Sequence, residues 1–236
     1  MSGDASDRTA ESCRECLSAR TPRCAIICLA NSRKHGFHCI AGICPLTGAW
    51  VRPISRLTNG SLPEGAILVD GEQPKLLQIV EFPFRTLHAR TFGFQSENRE
   101  LAPGIWRATG RASVQDILPC CENSEFILYN ELDRVPLAHL QALPSHRRKS
   151  LQLVHCDDVA FHETSSTSGR QQCRARIRWG RIEYHLVVTD PEIERRVYGG
   201  EPVGGHCILT VSLGMPFPEG SQAPDCFKLV AGVVEL

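Results

Sequence analysis

Apolar positions along this chain come in short continuous runs or in strict alternation, and seldom at helical spacing. Residues 24–30, Cys-Ala-Ile-Ile-Cys-Leu-Ala, form an unbroken apolar run of strand length, the pattern of a buried strand. Residues 38–42 and 49–54 predict two more strands around a turn at 45–48, and 75–82 predicts a fourth. Connections this short predict an antiparallel meander. In the second half strand-like sequence resumes at Leu151, and residues 173–179 alternate cleanly, with Cys173, Ala175, Ile177 and Trp179 on one face and Arg174, Arg176 and Arg178 on the other. Gly180-Arg181 supplies a turn into a β-rich return over 182–188, so the segment reads as a hairpin in which Tyr184 belongs to the core. Strands at 207–213 and 226–234 close the chain.

Helical patterns are few. Ser113 is placed to cap a short helix, Leu137, Leu140 and Leu143 share a helical face, and Asp190-Pro191 reads as a capped helix start ended by Gly199-Gly200. The fold class expected is therefore all-β, with a few short covering helices.

Composition sharpens this picture in three ways. First, 236 residues are enough for one large or two small β domains without staples. The basic, proline-bearing stretch 144–149 marks a boundary, giving a disordered leader at 1–22, a first unit with covering helices at 23–145 and a second at 146–236. Residues 165–169, rich in Ser, Thr and Gly, read as a mobile loop. Second, 26 basic and 26 acidic residues cancel, so any contact with nucleic acid must be a local patch rather than a whole-surface attraction. Third, no apolar run approaches the roughly 18–20 residues of a membrane span, and the first residues lack a signal-peptide core, so a soluble, cytoplasmic chain with no membrane partner is expected.

Twelve cysteines in such a chain read as reduced packing thiols. Cys13-x-x-Cys16 with Cys24 and Cys28 has enough thiolates for a zinc site, but Cys28 falls inside the apolar run and there is no second C-x-x-C; the expectation is no metal and no cofactor. Phosphate-loop, nucleophile-elbow and zincin motifs are absent. His155, Cys156, Asp157 and Asp158 form the best nucleophile-like cluster, yet neighbours on a strand point to opposite faces, so His155 and Cys156 would not cooperate. No catalytic residue is assigned.

Several phrases resemble the dual OB-containing domain family of prokaryotes: residues 29–36, Leu-Ala-Asn-Ser-Arg-Lys-His-Gly, with 39–42, Cys-Ile-Ala-Gly; 50–55, Trp-Val-Arg-Pro-Ile-Ser; 95–98, Gln-Ser-Glu-Asn; 184–191, Tyr-His-Leu-Val-Val-Thr-Asp-Pro; and 227–231, Phe-Lys-Leu-Val-Ala. The resemblance covers about 24–236 and implies two OB-type β-barrels in tandem, folds that commonly present a strand face and loops to oligonucleotides. It does not itself establish an activity, because such barrels also bind sugars and proteins.

Candidate contacts follow from residue chemistry, each beside a plainer reading. Asn31, Ser32, Arg33 and Lys34 cluster donors after a strand, fit either for phosphate or for satisfying turn backbone. Trp50 and Arg52 share one strand face, fit either for a base and its phosphate or for the core and an internal ion pair. Glu97 and Asn98 could read a base edge or fix a loop. Arg174, Arg176 and Arg178 offer an anionic track or an ordinary solvated face. The expected function is non-catalytic recognition of nucleic acid, in particular single-stranded, or of a nucleotide-like ligand. The alternatives are a protein-interaction module of a prokaryotic multi-gene system, such as one in defence, and a small-nucleotide sensor.

Overall fold

The computed structural model describes residues 21–34, 36–85, 93–165, 169, 171–218 and 221–236. The leader expected at 1–22 lies almost wholly outside the described residues, as do Cys13, Cys16 and residues 166–168 of the expected loop.

The first unit is a six-stranded sheet of β1 (Arg23–Lys34), β2 (Phe37–Ile43), β3 (Trp50–Ile54), β4 (Gln78–Pro83), β5 (Asn98–Glu100) and β6 (Arg107–Arg111), in the order β5-β3-β2-β1-β4-β6. It curls into a half-barrel. β5 runs parallel to β3 on one edge, and on its other edge the Arg85 N–H donates to the Glu100 carbonyl at 2.8 Å and the Ala102 N–H to the Pro83 carbonyl at 3.1 Å. β6 then continues along β4, so one strand's role is divided between two short pieces.

The apolar run in β1 has a simple cause. Ile26 and Cys28 face the half-barrel core with Ile40, Val51, Val80, Phe82 and Trp106. Ile27 and Leu29 point the other way, into a cluster with Leu153 and Ile208 of the second unit. A strand buried on both faces needs no polar alternation.

The second unit holds β7 (Arg134–Pro136), β8 (Leu151–Ser165), β9 (Gln171–Trp179), β10 (Ile182–Val188), β11 (Gly204–Phe217) and β12 (Asp225–Glu235), in the order β10-β9-β8-β11-β12-β7. β10 also pairs in parallel with β12 through Val187–Leu229 and Val188–Val230, which closes β8 to β12 into a five-stranded barrel. The alternation of the β9 segment survives intact: Cys173, Ala175, Ile177 and Tyr184 are buried inside, and the arginines face out. Helix α1 (Val114–Ile117) begins in a Ser113/Asp116 capping box, α2 is Leu137–Ala142, and α3 (Pro191–Tyr198) connects β10 to β11. The Asp190 carboxylate accepts the N–H groups of Glu192 and Ile193 at 3.0 and 3.4 Å and that of Val233 at 3.1 Å, tying α3 to β12. Val135 and Leu140 pack into the second core, so β7 and α2 sit with the second unit although they precede residue 146.

The two units meet without a spacer. The Thr210 hydroxyl donates to the Leu29 carbonyl at 2.7 Å, the Arg33 N–H to the Thr189 carbonyl at 3.1 Å, and Ala30, Ala41, Leu151 and Ala231 form a further shared cluster against Trp50. At Gly232 an added Cβ would lie 2.1 Å from the Leu29 carbonyl oxygen. Only glycine permits this approach. Among the described residues, no helix is long and apolar enough to cross a membrane.

Candidate site between the two barrels

Where β1 and β2 reach the far end of β11, the units part to leave a cleft of about 990 Å³, a size that suits a small organic ligand or a short stretch of polymer. One wall comes from the end of β1 and the start of β2 with residues 57–59 and Gln95; the other comes from residues 212–218, Phe227 and Leu229. Two phenyl rings are open to solvent here, Phe37 at 39% exposure and Phe217 at 61%. Exposed apolar surface gathered at a groove gains from a partner that covers it. Phe217 meets Phe227 edge-on at 6.3 Å, and the Arg134 guanidinium lies 5.2 Å over the Phe227 ring. Among the described residues lining the cleft two are arginines, Arg33 and Arg52, and none is Asp or Glu. Arg52 is offset by the Glu97 carboxylate 3.2 Å away, so the charge offered to solvent is that of the exposed Arg33, and it favours an anion.

The expected site residues take different places. Ser32, Arg33 and Arg52 line the cleft. Ser32 is buried, its hydroxyl donating to the Cys39 carbonyl at 3.3 Å, whereas the Arg33 side chain is exposed. Lys34 ends β1 beside Phe37, and its side chain lies outside the described residues. Arg52 is only 4% exposed. Its Nη2 stands 3.2 Å from the Glu97 carboxylate and donates to Ser150 and Ser212 at 3.0 and 3.3 Å, and Ser150 donates in turn to Glu97. Arg52 thus joins the units, its Nε buried and without a hydrogen-bond partner among the described residues.

The others stand apart from the cleft. Asn31 donates through Nδ2 to the Pro74 carbonyl at 3.0 Å and accepts through Oδ1 from the His38 ring Nδ1 at 3.0 Å, fixing the 73–74 segment. Trp50 wedges between the units, and Asn98 is buried against Gln95 at 3.1 Å. On the outer face of β9, Arg176 pairs with Glu183 at 3.4 Å and Asp158 at 3.9 Å, Arg178 pairs with Asp158 at 3.5 Å, and Arg174 donates to the His185 carbonyl at 3.0 Å. Carboxylates therefore offset much of that row. Of the thiols considered for zinc, Cys28 is fully buried and pushed up to about 12 by desolvation, which opposes the thiolate a metal would need.

Phe37, Phe217 and Asn59 also line the cleft and carry little sequence signal, whereas Gln95 belongs to the 95–98 phrase. Phe37 follows Gly36 directly after the donor cluster, which is a cue; Phe217 looks like one apolar residue in a proline-rich stretch until β11 carries it to the first unit.

A closed five-stranded barrel with a helix between its third and fourth strands, a half-barrel of matching strand pairing, and a groove where they meet define a tandem OB-type binding module. The family model described as dual OB-containing domain matches residues 24–233, and the chain belongs to that family. Comparison with curated proteins and with solved structures gave no match.

Proposed function

We propose that this protein is a non-catalytic recognition module that holds single-stranded nucleic acid, or a nucleotide-like ligand, in the cleft between its barrels. The observation that carries this reading is the pairing of exposed phenyl faces with the exposed Arg33 side chain in a cleft lined, among the described residues, by no Asp or Glu. Stacking on aromatic faces tolerates any base, and a nearby guanidinium tracks the phosphate. In this reading Phe37 and Phe217 stack bases, Arg33 meets a phosphate, Ser32, Asn59 and Gln95 face the polar edges, and Arg52, paired with Glu97, sets the shape of the floor. The ion-paired row on β9 plays no leading part.

The test is fluorescence anisotropy with labelled single-stranded and duplex DNA and RNA across a salt series, with a nucleotide panel followed by thermal shift. Salt-sensitive binding that Phe37→Ala and Arg33→Ala weaken supports the reading. A flat salt response, or binding indifferent to both substitutions, overturns it, and stabilisation by a mononucleotide alone narrows it to a sensor.

A further inference from the structure

A second groove, of about 1090 Å³, opens on the second barrel and has a different character: Glu122, Glu125, Asp157 and Asp158 line it against Arg178 and Arg181. At its edge β8 carries a bulge. Cys156 pairs with Cys207 and Val159 with Gly205, so Asp157 and Asp158 together oppose the single residue His206. Bulges of this kind re-aim side chains. Here His155 and Asp157 project from one face of β8 and His206 comes alongside from β11: its Nε2 is 2.5 Å from the Asp157 carboxylate and its ring 5.2 Å from that of His155. One ligand atom from each of the three can be chosen so that all lie within 4.8 Å of one another.

We propose that His155, Asp157 and His206 form a surface site for a divalent transition-metal ion of the zinc class. Two imidazoles and one carboxylate are the donor set that such an ion takes, and three protein ligands leave a position for water or an exogenous donor on the side of the groove. A surface ion pair between His206 and Asp157 accounts for their short contact. It does not require a second histidine on the same face with its ring centred 5.2 Å from the first.

The site is tested on the full chain, stripped with chelator and titrated with Co²⁺ by visible absorption and with Zn²⁺ by calorimetry. The expected result is one saturable site showing d–d bands without a thiolate charge-transfer band. Affinity should fall at least about tenfold in each of His155→Ala, His206→Ala and Asp157→Asn. These positions are exposed, so melting temperatures without metal should stay close to the parent's, and the near-isosteric Asp157→Asn covers a variant that fails to fold. Absence of saturable binding, a thiolate band, or affinity unchanged in the variants overturns the proposal.

Discussion

Arg52 and Glu97 form an ion pair buried on both sides, 3.2 Å apart in the first unit and completed by the hydroxyls of Ser150 and Ser212 from the second. Removing one partner strands the other charge in a dry interface, which typically costs about 3–5 kcal/mol. Arg52→Ala and Glu97→Ala should each lower stability by about that much in urea unfolding. The double substitution should cost about 1–3 kcal/mol less than the sum of the two. Additive losses would mean that the pair is not energetically coupled. It follows that weaker ligand binding in Arg52→Ala does not identify a phosphate contact unless its stability is measured as well.

Gly232 and Thr210 hold the barrels together by opposite means, one through absence of a side chain and the other through a hydrogen bond. Gly232→Ala pushes a methyl into the Leu29 carbonyl at 2.1 Å and should cost about 3 kcal/mol, the upper part of the usual range for overpacking. Thr210→Val deprives a buried carbonyl of its 2.7 Å donor and should cost about 1–3 kcal/mol. Thermal unfolding in the presence of reductant reads both, and a neutral Gly232→Ala would show that the strands can separate without loss.

Stacking on Phe37 and Phe217 should be worth about 1–3 kcal/mol per base, so each alanine substitution should raise Kd for single-stranded oligonucleotide by about 5- to 150-fold. Arg33→Ala should reduce the slope of log K against log salt by about one, while Arg176→Ala, already opposed by Glu183 and Asp158, should leave it unchanged. Equal effects at Arg33 and Arg176 would favour the outer face of β9 instead.

Stability should vary with pH in two opposed windows. Lys228 is 1% exposed, and desolvation pushes its amine from 10.5 down to about 7. Above pH 7 the unfolded chain therefore holds a proton that the folded chain has released, and stability rises with pH, by about 1 kcal/mol between pH 7 and 8. Burial pushes the Cys28, Cys156, Cys173 and Cys226 thiols from 9.0 up to about 12. Above pH 9 the folded chain keeps protons that the unfolded one has lost, so stability falls. Urea midpoints measured against pH should pass through a maximum between these windows. Lys228→Met should abolish the rise and leave the fall in place.

Most of the second barrel was legible from local pattern. The alternation around Arg174, Arg176 and Arg178 sets inside from outside whatever the rest of the chain does, and Asp190-Pro191 marks a helix start by backbone chemistry alone. β5 was not legible, because three residues paired in parallel with β3 carry no periodicity of their own. The site divides on the same principle. Ser32 and Arg33 could be read because the donors are adjacent in sequence. The partners of Arg52 at Ser150 and Ser212, and the position of Phe217, are set by how the units dock, which no window of residues encodes.

The double burial of β1 seats a wall of the first unit directly against the outside of the second. Two barrels on a tether would search for a ligand separately and gain by avidity; two barrels seated wall to wall form a mould whose width is cast when the chain folds. Little ordering then remains to be done on binding. On the proposed reading, selection in such a cleft would work by fit, and a change at the seam, far from any ligand atom, would alter what the cleft accepts.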